Sequence, residues 1–340
     1  MKKYSIAIIG ATGAVGQQCL KWLHKFNFPF KNIEVFASKK SAGRLIRYQH
    51  YIYTVQELKE SSFDGKDICF FCTDEQISQK YVPIALKKHC LVIDNSPFYR
   101  LNEQVPLIVS QVNTHLLANH PQLIANPNCV TSILCSVLKP LDALFSIQKV
   151  VVSTYQSVSG IGYQAMQDLK RQTRSFLDDL SYSSPYFPSL KSKIKYQMAF
   201  NCIPQVGSLL DSNHTTEEEK IIEETQKILE KKIKIFPTCV RVPTLNCHCE
   251  SVYVEFEKEV NVDQAIKSLK KQKNLKVFKK LLPINTNCVN QLEVFISRIR
   301  KIDHHALSFY LVSDNLLKGA ASNAIEIALS AIKENENAIL

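Results

Sequence analysis

The sequence predicts a two-domain protein in which an α/β domain with a parallel sheet is followed by an α+β domain with an antiparallel or mixed sheet. Three observations support this prediction. The chain has 340 residues, which is enough for two domains of ordinary size. Roughly its first 130 residues alternate short apolar runs with helical patterns, as a parallel sheet requires. Later segments alternate polar and apolar residues, which is typical of a sheet with one exposed face.

The elements of the first domain are predicted from apolar runs and helical spacing. Residues 68–72 are apolar throughout, which indicates a strand covered on both faces. Cys19, Leu20 and Leu23 share one face of a helix. In chain order, the predicted strands are residues 4–9, 33–37, 67–72 and 90–94, and the predicted helices are residues 17–26 and 78–88.

The second domain contains a helix with a clear start, because Thr215 or Thr216 can act as the N-cap ahead of three glutamates. An apolar helix over residues 320–333 is expected to return to the first domain, which therefore takes residues 1–128 and about 315–340, leaving 129–314 to the second. Residues 181–195 are rich in Ser, Pro and Lys and predict a mobile loop or a subunit-contact insertion. The remaining predicted elements are strands 150–155, 240–242 and 251–256 and helices 163–179 and 215–232.

Composition excludes several classes of protein. The 42 basic and 31 acidic residues leave a net charge of +11, but the lysines are scattered and no nucleic-acid recognition motif accompanies them. We therefore expect anionic small ligands and no nucleic-acid partner. No apolar run approaches the ~20 residues of a membrane helix, and the apolar start of the chain is too short for a signal peptide. The eleven irregularly spaced cysteines favour reduced thiols in the cytoplasm over a disulfide framework.

A glycine-rich loop follows the first predicted strand and precedes the first predicted helix. In that context glycines permit a tight turn and let the backbone approach a pyrophosphate at the helix N-terminus. The loop predicts a Rossmann-type dinucleotide site, and the alternative is a glycine turn without a ligand. The candidate residues are Gly10, Thr12, Gly13, Ala14, Val15 and Gly16.

The end of the second predicted strand distinguishes between the two nicotinamide cofactors. Sites for NAD commonly carry an acid there, which holds the ribose hydroxyls. Here the strand ends in hydroxyl and ammonium groups, which suit a 2′-phosphate, so NADP(H) is the predicted cofactor; the alternative is a loop of solvated charges. Glu34 lies too early in the strand to hold the ribose. The candidate residues are Ser38, Lys39, Lys40 and Ser41.

Cys129 follows a short strand-like segment that contains Pro127, and it precedes an apolar run that is typical of a helix. A cysteine at a helix N-terminus faces unpaired N–H groups and the positive end of the helix dipole, and both favour the nucleophilic thiolate. A reactive thiol and a hydride-carrying cofactor together suggest an aldehyde dehydrogenase that works through a thioester.

His248 is the strongest candidate for a catalytic base, although nothing in the sequence places it beside Cys129. Two alternatives remain at this point. A lone histidine is often a hydrogen-bonded structural residue. Cys247 and Cys249, with Cys239 upstream, also permit a zinc interpretation, but the paired Cys-x-x-Cys knuckles of structural zinc sites are missing and strand alternation would direct both thiols away from His248. We predict no metal.

Seven segments in order resemble the aspartate-semialdehyde dehydrogenase family over essentially the whole chain. The resemblance implies a catalytic and dimerisation domain like that of glyceraldehyde-3-phosphate dehydrogenase after the Rossmann-type domain, and a homodimer or homotetramer. The matching segments are residues 10–16, 37–43, 92–96, 127–129, 153–160, 239–243 and 312–321.

The resemblance also implies catalytic roles. Cys129 resembles the nucleophile, Gln156 the residue that orients the bound intermediate, and His248 the acid/base. Arg241 resembles the guanidinium that grips the substrate carboxylate through two hydrogen bonds, and Glu218 resembles the partner of the substrate ammonium. Without the resemblance, Glu218 is explained equally well by the helix dipole.

Phosphate and cofactor contacts are implied in the same way. Arg100 and Lys220 resemble the pair that binds inorganic phosphate, with Asn128 beside them; the alternative for both charges is solvated surface. The residues implied near the nicotinamide are Ser159, Gly160 and Asn315.

The reaction implied is the reversible, NADPH-dependent conversion of L-4-aspartyl phosphate into L-aspartate 4-semialdehyde and inorganic phosphate through a Cys129 thioester. It belongs to the aspartate pathway, which leads to lysine and diaminopimelate, threonine and methionine. Two other functions stay open. One is N-acetylglutamyl-phosphate reductase, against which the Arg241 segment argues, and the other is a catalytically silent NADP-binding homologue.

Two positions depart from the family pattern. Asp74 and Glu75 follow the third predicted strand, where a small polar loop is expected, and we expect their carboxylates to weaken NADP binding or shift the loop. Val130 follows the nucleophile where a small hydroxyl residue is usual.

Overall fold

The computed structural model describes residues 2–190 and 192–337 and divides the chain into two compact units. The first unit comprises Met1–Asn128 and Ala320–Leu340, and the second comprises Cys129–Gly319. The chain therefore crosses between units immediately before Cys129 and immediately after Gly319. The second crossing lies a few residues beyond the predicted position near residue 315.

The first unit is built on a six-stranded parallel sheet with the order β5-β2-β1-β6-β7-β8. It confirms the predicted α/β class, since strands and helices alternate along the chain. The last helix, α8, belongs to this unit. The strands are β1 (Tyr4–Ile9), β2 (Phe30–Ala37), β5 (Gln56–Glu57), β6 (Ile68–Phe71), β7 (Leu91–Asp94) and β8 (Leu123–Ala125), and the helices are α1 (Ala14–Lys25), α2 (Glu75–Lys87) and α8 (Ser322–Asn337).

A separate two-stranded hairpin, β3 (Leu45–Tyr48) and β4 (Tyr51–Thr54), interrupts the first unit and was not predicted. Its aromatic side chains surround His24 at the end of α1, and the Tyr53 hydroxyl lies 2.6 Å from His24 Nε2. Alternating Tyr and Ile residues carry the strand signal, but the basic and polar residues among them obscure it.

The second unit is built on a mixed six-stranded sheet with the order β10-β9-β11-β14-β13-β12, which confirms the predicted α+β character. The pairs β9–β10 and β12–β13 are parallel, and the others are antiparallel. Strands β12 to β14 were not predicted. The strands are β9 (Ile147–Gln156), β10 (Lys234–Arg241), β11 (His248–Phe256), β12 (Leu275–Val277), β13 (Val294–Asp303) and β14 (Ala306–Ser313), and the helices are α3 (Cys129–Phe145), α4 (Tyr163–Leu177), α5 (Thr216–Leu229), α6 (Val262–Lys270) and α7 (Asn285–Cys288).

The register of this sheet arranges buried polar residues in two rows on the face that packs against α3 and α5. Residues level with one another across neighbouring strands point to the same face, and alternate residues along a strand do so too. The upper row, at the end of β9, consists of Arg241, Gln156, His248 and Ser313. The lower row, two residues deeper, consists of Cys239, Thr154, Glu250 and Leu311.

The segment after α4, predicted as a mobile loop or subunit-contact insertion, is tied to that helix near both ends. Asp168 accepts hydrogen bonds from the Tyr182 and Ser184 hydroxyls, each at 2.6 Å. Gln172 Oε1 accepts the backbone N–H of Met198 at 2.6 Å. Lys191, within the predicted segment, lies outside the described residues. A role in subunit contact stays a prediction.

The cysteines and the helix lengths bear on the predictions of reduced thiols and of no membrane helix. All eleven cysteines are free thiols. Within residues 2–190 and 192–337, every helix is too short or too polar to cross a membrane.

Candidate active site

The glycine loop of the first unit lies where β1, α1 and β6 meet. Gly10 has a positive φ of 82°, and a Cβ on it would lie 2.3 Å from the carbonyl oxygen of Cys72. A Cβ on Gly16 would lie 2.3 Å from the carbonyl oxygen of Gly10. Both positions therefore require glycine, because a side chain would force the turn and the strand apart.

The start of α1 is suited to an anion. Gly13 is its N-cap and supplies no side-chain acceptor, and the first turn carries no acidic residue. A Cβ on Gly13 would meet only the Gly10 carbonyl oxygen, at 3.3 Å, so the approach to the helix N–H groups is open. A dinucleotide pyrophosphate fits this cradle. Thr12, Ala14 and Val15 lie in the same turn and the first residues of the helix.

The residues predicted to bind the 2′-phosphate form a short turn after β2. Lys39–Ser41 is a 3₁₀ turn, and both lysines are exposed. Ser38 caps the turn without using its hydroxyl. The nearby acids are already neutralised: Glu34 pairs with Lys66 at 2.6 Å, and Glu57, level with the end of β2, pairs with Lys59 at 3.3 Å. The turn therefore favours a phosphate over a bare ribose.

Asp74 and Glu75 prove to be residues of a helix start. Asp74 is the N-cap of α2, and its carboxylate accepts the backbone N–H of Ile77 at 3.0 Å. Glu75 occupies the first turn, where a negative charge is stabilised by the helix dipole. The departure from the family pattern thus has a local structural cause. The expected weakening of NADP binding stays a prediction.

Arg100 and Asn128 both lie buried in the first unit, with 8% and 6% of their surface exposed. The Arg100 guanidinium donates to the carbonyl oxygen of Asn95 at 2.7 Å. The side chain of Asn95 in turn accepts from Asn126 at 2.8 Å, and Asn126 accepts from Asn323 of α8 at 2.6 Å. A chain of asparagines therefore fixes the backbone that holds Arg100.

Cys129 is the first residue of α3, as predicted, and its side chain is half-buried. No acidic side chain occupies the first turn of this helix, so the positive end of the dipole is not neutralised there. Gly319 lies directly against it: a Cβ on Gly319 would be 2.6 Å from Cys129 Cβ and 2.9 Å from its Cα. Val130 is fully buried in the core, so its β-branched side chain is accommodated away from solvent.

Glu217, rather than Glu218, is the glutamate bonded to Gln156. The Gln156 amide donates to Glu217 Oε1 at 3.1 Å. Both oxygens of Glu218 accept backbone N–H groups, that of Thr215 at 2.6 Å and that of Cys239 at 2.8 Å. The Glu218 carboxylate thus closes the capping box of α5 and fixes β10, and its assignment to the substrate ammonium stays a prediction that this geometry does not favour.

The sequence contains a partial signal for this arrangement. Thr215 with Glu218 and Thr216 with Glu219 both have the T-x-x-E spacing of a capping box, and the first pair forms it in the structure. Glu217 and Lys220 are three residues apart and share a helix face. In the structure Lys220 Nζ lies 3.7 Å from Glu217 Oε2.

Arg241 is buried at the end of β10, and one of its terminal nitrogens donates to the Ser157 carbonyl oxygen at 2.7 Å. Burial lowers the pKa of this guanidinium, while the charges of Glu217 and then Cys129 raise it, which places both groups in its electrostatic range. A Cβ on Gly160 would lie 3.2 Å from the guanidinium, so Gly160 leaves open the space in front of Arg241.

His248 is held as a neutral ring with a fixed tautomer. Its Nδ1 accepts the backbone N–H of Ser157 at 3.1 Å, so the ring hydrogen is on Nε2, on the side that faces Gly160. Burial, and then the charge of Arg241, lower the pKa of His248 to about 3. Asn315 joins the turn after β9 to the residue that precedes His248. Its Oδ1 accepts from the Ser159 hydroxyl and from the Cys247 N–H, both at 3.1 Å.

The neutral His248 predicts a specific pH dependence of stability. The unfolded chain binds a proton on this histidine below a pKa of about 6.5, and the folded chain does so only below about 3. Stability is therefore lost as the pH falls below 6.5, by about 1.4 kcal/mol per pH unit. We expect His248→Asn to flatten this slope in urea unfolding experiments between about pH 4.5 and 6.5. Equal slopes in both proteins would contradict a neutral His248.

The thiols next to His248 do not join it in a metal site. Cys247 and Cys249 pack in an apolar cluster with Cys288, and Cys249 Sγ donates to Asn285 Oδ1 at 3.1 Å. Strand alternation directs His248 to the opposite face of the sheet. In the part of the chain that the structure describes, no three His, Cys, Asp or Glu side chains are placed to share a metal.

Comparisons with known families agree with this geometry. Residues 5–120 match the model of the semialdehyde dehydrogenase NAD-binding domain, and residues 138–318 match that of the semialdehyde dehydrogenase dimerisation domain. The aspartate-semialdehyde dehydrogenase of Bacillus subtilis (strain 168) is 40% identical over 338 residues, which cover 97% of this chain and 98% of that protein. The chain belongs to the aspartate-semialdehyde dehydrogenase family.

Other members of this family are similarly close. The aspartate-semialdehyde dehydrogenase of Rickettsia bellii is 39% identical, with 98% of each chain covered. The crystal structure of aspartate-semialdehyde dehydrogenase II from Vibrio cholerae superposes with a TM-score of 0.92 at 34% identity, covering 98% of this chain and 99% of that one. The resemblance of the seven sequence segments to this family is confirmed.

Proposed function

We propose that this chain catalyses the reversible, NADPH-dependent reductive dephosphorylation of L-4-aspartyl phosphate to L-aspartate 4-semialdehyde. The observation that carries the proposal is the arrangement in the second unit: Cys129 begins a helix, while Gln156, Arg241 and His248 share one row of the sheet, with Glu217 bonded to Gln156. A thiol and a fixed neutral imidazole are groups that thioester chemistry uses, and a buried guanidinium suits an anionic substrate.

Recognition of the amino acid is assigned to one cation and one anion. The Arg241 guanidinium, with one side held by Ser157, presents its other donors to the substrate carboxylate. The Glu217 carboxylate receives the substrate ammonium, and Gln156 holds that carboxylate in place. A crystal structure of aspartate-semialdehyde dehydrogenase II from Vibrio cholerae contains that protein complexed with ASA, which supports the same substrate for this chain.

Phosphate recognition is assigned to Arg100, Lys220 and Asn128. Arg100 is held by a backbone carbonyl, which orients its planar guanidinium. Lys220 adds a partly exposed positive charge that is only loosely paired with Glu217.

The chemistry begins at the thiolate of Cys129, which the helix start favours. Its sulfur attacks the acyl carbon of aspartyl phosphate, the C–O bond to phosphate breaks, and inorganic phosphate leaves with the electron pair. When bound, NADPH supplies the hydride for reduction of the thioester. The Nε2–H of His248 can then hydrogen-bond the oxygen that gains negative charge, and the C–S bond breaks to release the aldehyde and restore the thiolate.

The cofactor would be held by the glycine cradle and the turn after β2. We assign NADP(H) on the grounds that Lys39 and Lys40 are exposed there and the nearby acids are paired elsewhere. Ser159, Gly160 and Asn315 are assigned to the nicotinamide end. Asn315 Oδ1 already accepts from Ser159 and Cys247, so its amide nitrogen is the group that we assign to that contact.

Reversing the charge of the turn tests the cofactor assignment. We expect Lys39→Glu together with Lys40→Glu to raise KM for NADP by about 10- to 100-fold, since two charge-assisted contacts are lost, with little change in KM for NAD. Initial rates with each cofactor measure this. Lys31→Glu, at an exposed lysine at the opposite end of β2, is the control, and equal losses for both cofactors would contradict a 2′-phosphate site.

Two finer assignments follow from the family. The dimerisation-domain match supports a homodimer or homotetramer, which light scattering after size-exclusion chromatography would measure. The eleven free thiols support a cytoplasmic location.

The deciding experiment is phosphate-dependent reduction of NADP by the purified protein with L-aspartate 4-semialdehyde. N-acetylglutamate semialdehyde is the matched alternative substrate, because it lacks the free ammonium that Glu217 is proposed to bind. Turnover of the aspartyl aldehyde alone supports the proposal. Preference for the acetylated substrate would identify the other reductase, and NADP binding without turnover of either would indicate a silent homologue.

A further inference from the structure

Glu250 is the only acid in the lower row of the sheet, and none of its surface is exposed. It lies level with Thr154 on β9 and one row beneath Gln156 and His248. Its side chain faces the layer of α3 and α5, within range of the Cys135 thiol on α3. It takes no part in the mechanism described above.

Neither carboxylate oxygen of Glu250 has a hydrogen-bond partner among the described residues of the protein. A buried carboxylate without a cation or donors is very costly, so the group takes up a proton instead. Burial accordingly raises the pKa of Glu250 well above its usual range. The side chain is therefore a neutral acid with an O–H to donate.

Gln156 presents the matching acceptor. Its amide nitrogen donates to Glu217, but its amide oxygen, although buried, has no hydrogen-bond partner among the described residues. Across an antiparallel pair, residues on a diagonal have Cα atoms about 7–8 Å apart, which long side chains can span alone or with one water. Gln156 and Glu250 are on such a diagonal, and the Thr154 hydroxyl lies beside it.

We propose that Glu250 is a positioning residue, whose neutral carboxylic acid donates a hydrogen bond to the amide oxygen of Gln156, directly or through one internal water shared with Thr154. The bond fixes which way the Gln156 amide faces. The amide nitrogen of Gln156 then points to Glu217 and the bound intermediate, and it cannot exchange places with the amide oxygen. This inference rests on the function proposed above, with Gln156 in the role that the family resemblance implies, the orientation of the bound intermediate.

Paired variants separate this role from simple packing. Glu250→Gln keeps a neutral donor of the same shape, and we expect its kcat to stay within about twofold of wild type. Glu250→Leu removes the donor, and we expect kcat to fall about tenfold, as for one lost hydrogen bond, with KM for the aldehyde nearly unchanged. Glu255→Leu is the control on the same strand, because Glu255 is partly exposed and pairs with Lys149.

A second measurement does not depend on activity. The infrared difference between wild type and Glu250→Gln at neutral pH is expected to contain the carbonyl stretch of a protonated carboxylic acid. A carboxylate band in its place would overturn the proposal. A wild-type kcat in Glu250→Leu would also overturn it, and so would a tenfold loss of kcat in Glu250→Gln. If the leucine variant fails to fold, the kcat of Glu250→Gln alone decides the kinetic test. Inactive wild-type protein would instead refute the proposed function and leave the infrared result standing.

Discussion

Cys129→Ala is expected to abolish turnover while leaving NADP binding intact. Among the described residues of the second unit, no other group combines a helix N-terminus, partial exposure and closeness to Arg241, so no second nucleophile can form the thioester. Loss of a covalent nucleophile lowers kcat on the order of 10⁴-fold or more. The measurements are phosphate-dependent NADP reduction and NADP binding by calorimetry, each on both proteins.

The matched control is Cys202→Ala, because Cys202 is an exposed thiol in the same unit and has no part in the proposed chemistry. We expect wild-type rates from it. Mass spectrometry of wild type mixed with the aldehyde and NADP, without phosphate, should reveal an acyl adduct on Cys129. Turnover by Cys129→Ala above a few per cent, or an adduct elsewhere, would contradict a thioester on this residue.

Arg241→Lys is expected to lower kcat/KM by about 10²- to 10³-fold, mainly through KM for the aldehyde. The guanidinium donates to the Ser157 carbonyl and still has parallel donors for a carboxylate, whereas a lysine ammonium cannot do both in that geometry. The ammonium would also be more costly to bury than a guanidinium at this site. Arg300→Lys, at an exposed arginine of the same unit, is the control.

The role of Arg241 can be separated from a general disturbance of the site. An aldehyde that lacks the substrate carboxylate should be turned over at similar low rates by wild type and Arg241→Lys, because the contact that the variant loses is absent from both. A tenfold further loss with that substrate would mean that Arg241 acts on the nucleophile and not on the carboxylate.

The parts of the protein that could be predicted from sequence are those fixed by local rules. The loop from Gly10 to Gly16 could be recognised because its turn and helix start lie within seven residues, and steric exclusion at Gly10 and Gly16 demands glycine. Cys129 could be placed at a helix start because the apolar run after it is continuous. Such features need no knowledge of distant contacts.

The identity of the acidic residue could not be settled by resemblance alone. Glu217, Glu218 and Glu219 are consecutive, and a helix turns by about 100° per residue, so each faces a different direction. Only one can face the Gln156 amide. The capping spacing fits Thr215 with Glu218 and equally Thr216 with Glu219, and only the structure, in which Thr215 is the cap, shows that the Glu218 carboxylate is occupied.

Long-range arrangement accounts for the remaining differences. His248 meets the Ser157 backbone across 91 residues of sequence, and no pattern in the chain predicts that hydrogen bond. Strand pairing of β13 and β14 was missed because the charged residues at the end of β13 obscure its alternation. The two rows of the sheet could not be predicted from the sequence either, because they depend on the register in which distant strands pair.

The two-row arrangement also limits how the gene for this protein can change. Deleting or inserting one codon within β9, β10 or β11 would shift every later residue of that strand to the opposite face. Gln156, Arg241 or His248 would then exchange places with a neighbour that now faces away. Insertions or deletions within these strands can preserve the facing of the side chains only if they add or remove an even number of residues. The loops between the strands are not restricted in this way. Comparison of natural lengths across related genes should show even-numbered changes, or none, inside the three strands.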